Sequence, residues 1–133
     1  MPEHVLIIDD EPRLVAVLQI RLQASGFRVD VAYNGQDGLE AAARLRPQII
    51  LLDINMPVMD GLQVCRSLRA DAELNAIPII VMSAVTHEVA RDNAIKAGAN
   101  LFLAKPYQAQ LVIAAIRATM EGKGVMGGMQ TIS

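Results

Sequence analysis

The residues of this 133-residue chain that could do chemistry stand where apolar runs end. Asp9, Asp10 and Glu11 follow the run 5–8 directly, and Asp53 follows the run 49–52. Ser83 closes the run 77–82, and Lys105 comes straight after 101–104. Clustered carboxylates repel one another unless a positive group stands among them or one of them keeps a proton. Hard divalent cations take oxygen ligands, and Mg2+ typically combines one or two carboxylates with water and phosphate oxygens. An acidic pair, a lone aspartate, a hydroxyl and a lysine in one crevice would therefore suit a metal and a phosphoryl group together. Asp9 and Asp10 are the pair suited to the metal. Asp53 stands alone at its strand end, as a carboxylate nucleophile that forms an acyl phosphate would. Lys105 would neutralise the phosphoryl oxygens, and Ser83 would donate a hydrogen bond to them.

Each residue taken singly has a plainer reading. Carboxylates ahead of Pro12 suit the first turn of a helix, Ser83 suits a helix cap, and Lys105 alone would be a solvated lysine. Their joint placement argues for a site, and the elements explain that placement. The largely apolar segments 5–8, 27–32, 49–52, 77–82 and 101–104 are short, as strands buried on both faces are. Leu14, Val17, Leu18 and Leu22 have helical spacing, with Gly26 able to end that helix. Asn34-Gly35 opens a second helix that runs to Pro47. Three more are expected over 62–70, 89–97 (stopped by Gly98) and 107–120. Five strand–helix repeats imply a parallel sheet with right-handed crossovers. All strand C-termini then share one edge, and open α/β sheets bind ligands there.

Residues 1–121 read as one domain, and 122–133, glycine-bearing and without periodicity, as a flexible tail or the start of a linker. A net charge of −2 gives no general nucleic-acid surface. The apolar runs are too short to span a bilayer, and residues 1–12 carry no cleavable signal pattern. Cys65 is the single cysteine, so it is expected to be a small core residue rather than half of an internal disulfide. His4 and His87 lack a partner cluster and read as surface or strand-edge residues. A cytoplasmic protein that neither enters a membrane nor binds nucleic acid directly fits these features.

With those residues in place, the chain resembles the receiver domain of bacterial two-component response regulators, of the chemotaxis-regulator kind. The matching pieces are "LIIDDEP", "IILLDINMPVMDG", "IIVMSA" and "AGANLFLAKPY", spread over 3–121. The resemblance implies a flavodoxin-like doubly wound (βα)5 fold, with a five-stranded parallel sheet in the order 2-1-3-4-5. It implies Asp53 as the phosphoryl acceptor and Mg2+ or Mn2+ as cofactor. Asp10 would be a direct metal ligand, Asp9 would support it through metal-bound water, and Asn55 would give its backbone carbonyl. Ser83 and Lys105 would contact the phosphoryl oxygens. Ser83 and Phe102 would form the switch, and the Lys105-Pro106 bond would be cis.

The implied function is a phosphorylation-controlled signalling switch fed by a histidine kinase or a histidine phosphotransfer protein. It would catalyse only its own phosphorylation and dephosphorylation. Its output would pass to a downstream protein or an attached output domain, the chain being either stand-alone or the N-terminal portion of a longer regulator. A homodimer through the face of the fourth helix, fifth strand and fifth helix is a further expectation. In the fifth helix, Val112, Ile113, Ile116 and Met120 have the spacing to face the sheet. That leaves Leu111, Ala114, Ala115 and Ala118 for a partner surface, and few charges accompany them. A haloacid-dehalogenase-like phosphohydrolase is the alternative, but it needs an Asp-x-Asp motif where this chain has Asn55. A flavodoxin-like electron carrier would need a Ser/Thr/Gly-rich phosphate loop after the first strand, where Asp-Asp-Glu-Pro stands, and aromatics make up only 3% of the chain.

Overall fold

The computed structural model describes residues 3–85 and 87–121, together with the backbone of 130–132. The elements alternate: β1 (His4–Ile8), α1 (Pro12–Ala24), β2 (Arg28–Ala32), α2 (Gly35–Leu45), β3 (Ile49–Asp53), α3 (Gly61–Ala70), β4 (Ile79–Ser83), α4 (Glu88–Ala97), β5 (Leu101–Ala104) and α5 (Ala109–Met120). A short β6 (Gln130–Ile132) follows. The strand order is β2-β1-β3-β4-β5-β6, and every neighbouring pair is parallel. This is the expected 2-1-3-4-5 order with one strand added beyond β5.

That added strand departs from the expected flexible tail. Phe102 lies opposite Thr131, and Leu103 opposite Ile132. A bare edge strand offers a row of unpaired N–H and C=O groups, and Thr131 and Ile132 are β-branched residues that suit a strand. The rest of the expected tail, 122–129 and 133, lies outside the described residues.

Strand side chains alternate between two cores, as a period of two requires. Leu6, Ile8, Ile50, Leu52, Ile79, Val81 and Phe102 pack with Ala41 and Ala42 of α2, Val64, Cys65 and Leu68 of α3, and Ala94 and Ala97 of α4. Val5, Ile7, Ile49, Leu51, Ile80, Met82, Leu101 and Leu103 pack on the opposite side with Val15, Leu18 and Leu22 of α1 and Val112, Ala115 and Ile116 of α5. Both faces of the sheet are therefore covered, and the runs 5–8, 49–52, 79–82 and 101–104 are unbroken and apolar for that reason, whereas β2, at the sheet edge, carries Arg28 and Asp30.

One residue of the expected partner surface belongs to the core instead. Ala115 is buried on the stripe Val112, Ala115, Ile116 and Thr119, which has the i, i+3, i+4, i+7 spacing of one helix face. A methyl at position 115 lets α5 lie close to the sheet. Ala114 is exposed, Ala118 is half-buried, and Leu111 is half-buried against the same core.

Polar side chains fix the loops at both ends of the sheet. Asn34 accepts the Asp37 N–H at 2.8 Å to start α2, and Asp60 and Gln63 cap α3 reciprocally. His87 caps α4 by accepting the Ala90 N–H, and Gly98, at φ +106°, ends it. Arg69 reaches from α3 to the carbonyls of Gly98, Asn75 and Ile77 and to Oδ1 of Asn100, at 2.7 to 3.0 Å. It thereby ties the end of α4 to the strand starts. His4, expected at a surface or strand edge, is buried and meets Asp30 at 2.6 Å. Cys65 is buried as expected.

Candidate functional site

The C-terminal ends of β1, β3, β4 and β5 bring the expected residues to one edge. Asp9, Asp53 and Ser83 are buried there, Asp10 and Lys105 are half-buried, and Glu11 is exposed. The Lys105 ammonium stands 3.1 Å from Asp9 Oδ2, 3.2 Å from Glu11 Oε1 and 3.4 Å from Asp53 Oδ1. Carboxylate oxygens of Asp9, Asp10, Glu11 and Asp53 all lie within 4.8 Å of one another. The residue that sequence reasoning left out of the site is Glu11. Its only signal was its place in the acidic run, and its partner Lys105 is 94 residues away.

Backbone donors set the orientation of the acids. Asp9 Oδ1 accepts the Glu11 N–H at 3.0 Å, and Asp53 Oδ1 accepts the Asn55 N–H at 3.2 Å. Ser83 Oγ accepts from the Val85 N–H at 3.0 Å and from Asn55 Nδ2 at 3.4 Å. The loop between β3 and α3 folds back sharply onto the acceptor strand. The Gly61 N–H bonds to the Ile54 carbonyl at 2.9 Å. A Cβ at position 61 would sit 2.3 Å from the Asp53 carbonyl oxygen, so only glycine fits. Val58, on the same loop, is fully exposed at φ +68°. A β-branched residue there costs about 1–3 kcal/mol. The Lys105-Pro106 bond is cis, as the resemblance implied.

Burial raises the Asp53 pKa to about 6, and the Asp9 charge adds to the rise, against the opposing pull of Lys105 and the Asn55 N–H. Burial alone would depress Lys105, but Asp53 and Asp9 outweigh it and hold the ammonium well above the ordinary lysine value. Four carboxylates around one ammonium leave an excess of negative charge. Hard oxygen donors at this spacing fit Mg2+; Lys105 pairs with Asp9, Glu11 and Asp53 and leaves Asp10 for a metal. Phe102, expected at the switch, is fully enclosed among Val81, Ala94 and Ala97. A cleft of about 590 Å3 lies at the opposite sheet edge between Glu3, Gln48, Ile77 and Met120, away from this chemistry.

Fold and acidic edge together define a class, and comparison with known proteins agrees with it. The family model "Response regulator receiver domain" matches residues 5–117, and the chain belongs to that family, the receivers of two-component signalling. Among its relatives, the DNA-binding response regulator MtrA of Mycolicibacterium smegmatis is 36% identical over 120 residues, covering 90% of this chain and 51% of that protein. The transcriptional regulatory protein PrrA of Mycobacterium leprae is 38% identical over 121 residues, covering 91% of this chain and 51% of the other. The chain thus spans about half the length of these curated relatives. The solved structure of the chemotaxis response regulator CheY4 of Vibrio cholerae superposes with a TM-score of 0.84 at 26% identity, over 88% of this chain and 98% of that one. Nothing here favours the phosphohydrolase alternative. Among the described residues, no helix is long and apolar enough to cross a membrane.

Proposed function

We propose that this receiver accepts a phosphoryl group on the Asp53 carboxylate from a phosphohistidine of a histidine kinase or phosphotransfer protein, with Mg2+ (or Mn2+) as cofactor. The observation that carries the reading is Asp53, buried at a strand end with Lys105 at 3.4 Å and three further carboxylates within 4.8 Å. A bound Mg2+ would neutralise charge on the acids and on the phosphoryl oxygens. Asp10 and Asp53 would hold it directly, the Asn55 carbonyl would add a ligand, and Asp9 would orient its water. The ionised Asp53 oxygen attacks phosphorus, the P–N bond to the donor imidazole breaks, and its electron pair stays on the imidazole nitrogen. Lys105 turns from Asp9 and Glu11 to a phosphoryl oxygen. Ser83, whose Oγ now only accepts, donates its O–H to another. Water attack on phosphorus later restores the carboxylate. The chain therefore catalyses its own modification and no reaction of an external metabolite.

The signal leaves through Ser83. Its Oγ anchors the Val85 N–H at the start of the β4–α4 connection, so a hydroxyl turned toward the phosphoryl group releases that connection. Phe102 completes the switch as the wall against which α4 repacks. The output surface is the α4–β5–α5 side, where Val89 and Ile95 of α4 are exposed and Leu111, Ala114 and Ala118 lie on α5, with β6 along the edge between them. A second copy of the chain, a target protein or an attached output domain would bind there, in the cytoplasm. Leu111→Glu should leave phosphorylation intact and weaken that association. Sedimentation of the Mg2+–beryllofluoride forms checks it, and equal association of parent and variant would move the surface elsewhere.

The acceptor site itself is tested with beryllofluoride, a phosphoryl mimic that attaches to an aspartate oxygen. Thermal unfolding should shift upward by several degrees when Mg2+ and beryllofluoride are added together. Asp10→Asn should require more Mg2+ for the same shift. A parent protein that shows no Mg2+-dependent shift would refute the site.

A further inference from the structure

A cleft of about 300 Å3 adjoins the acidic cluster, lined by Glu11, Leu14, Ala84, Lys105, Pro106 and Tyr107. Two of these residues are charged and paired, the Lys105 ammonium lying 3.2 Å from Glu11 Oε1. The other four make the rest of the lining mostly apolar. Apolar walls with a few polar groups are the pattern of a small-ligand seat.

Lys105 belongs to the cleft and to the acceptor site at once, because its ammonium is also 3.4 Å from Asp53 Oδ1. Carboxylate oxygens of Glu11 and Asp53 lie within 4.8 Å of each other. In phosphoryl transfer the attacking oxygen and the leaving atom stand roughly in line, on opposite sides of phosphorus. The leaving group of a donor must therefore rest just outside the acceptor, next to this cleft. Once Lys105 turns to the phosphoryl oxygens, the exposed Glu11 carboxylate is released toward the arriving donor.

We propose that this cleft seats the imidazole ring of the phosphohistidine donor, and that Glu11 accepts a hydrogen bond from the ring nitrogen that does not carry phosphorus. The ring arrives protonated at that nitrogen. When the P–N bond breaks, its electron pair returns to the other nitrogen, the proton stays where it is, and a neutral imidazole leaves. An unprotonated ring would leave as an anion beside four carboxylates, which repel it. Glu11 thus exchanges the Lys105 ammonium for the ring N–H. It is a specificity residue, favouring a donor that leaves as a heterocycle over donors that leave as acetate or ammonia. The inference rests on the receiver reading above and deepens it by giving the leaving group a place.

Three small phosphodonors test it. N-phosphoimidazole leaves as imidazole, acetyl phosphate as acetate and phosphoramidate as ammonia, so only the first carries the ring. Initial rates of phosphoryl gain are read by intact mass at saturating Mg2+. Glu11→Gln keeps the shape of the side chain and loses its charge. Its rate with N-phosphoimidazole, divided by its rate with either of the other donors, should fall about tenfold, the worth of one charge-assisted hydrogen bond. Taking ratios cancels any common effect on the metal. Ala84→Leu, at an exposed position, narrows the cleft without altering charge and should lower both ratios as well. A ratio that falls in Glu11→Gln against acetyl phosphate but not against phosphoramidate would reflect only the net charge of the donors, and would overturn the proposal. So would unchanged ratios in either variant. A parent that gains no phosphoryl group from any of the three donors would instead overturn the receiver reading itself.

Discussion

Lys105→Met should destabilise the metal-free protein by about 3–5 kcal/mol near neutral pH, because it strips the cation from acids that remain buried. The ammonium stands within 3.4 Å of both Asp9 and Asp53, and their side chains are 1% and 3% exposed. Without it, among the described residues, these acids keep each other and two backbone N–H groups. The loss should depend on pH, and its sign follows from Asp53. Its folded pKa of about 6 lies above the ordinary 3.8. The folded state therefore binds a proton more readily than the unfolded chain. The resulting contribution to stability is complete below 3.8 and is lost as pH rises through about 6. Lys105 lowers the Asp53 pKa, so its removal pushes that value higher and carries the loss on toward neutrality. Lys105 itself stays charged throughout this range.

The difference between parent and variant should accordingly be largest at about pH 8 and shrink at about pH 4.5. Millimolar Mg2+ should narrow it at the higher pH by supplying the missing positive charge. Urea unfolding under these conditions reads both effects. A difference that stays constant with pH and Mg2+ would mean that Lys105 contributes through its alkyl chain alone.

Much of the site was legible because strand ends in a parallel sheet are coplanar. Locating the apolar runs was enough to bring Asp9, Asp53, Ser83 and Lys105 to one edge, whatever the loops between them do. Features that depend on distance or phase were not legible. Glu11 meets Lys105 across 94 positions, and nothing local marks that pair. Ala115 is ambiguous by nature, since alanine is tolerated on either side of a helix, and its burial depends on how closely α5 approaches the sheet. His4 sits in a strand start that any residue type could occupy, and only the fold brings the Asp30 carboxylate, two positions along β2 from its register partner Arg28, within 2.6 Å of it. The strand at 130–132 follows from the open edge of β5, a property of the assembled sheet and not of the three residues alone.

The acceptor claim stands or falls on Asp53. Asp53→Asn keeps the shape of the side chain and removes the nucleophilic oxygen. It also relieves a buried acid whose charge is disfavoured by burial and by Asp9, so near neutral pH the variant should fold at least as well as the parent. A loss of phosphorylation in this variant is therefore a loss of chemistry and not of structure. The measurement is intact mass after incubation with acetyl phosphate and Mg2+. The parent should gain one phosphoryl group, and Asp53→Asn should gain none. An equal gain in Asp53→Asn would place the acceptor on another residue and contradict the central claim.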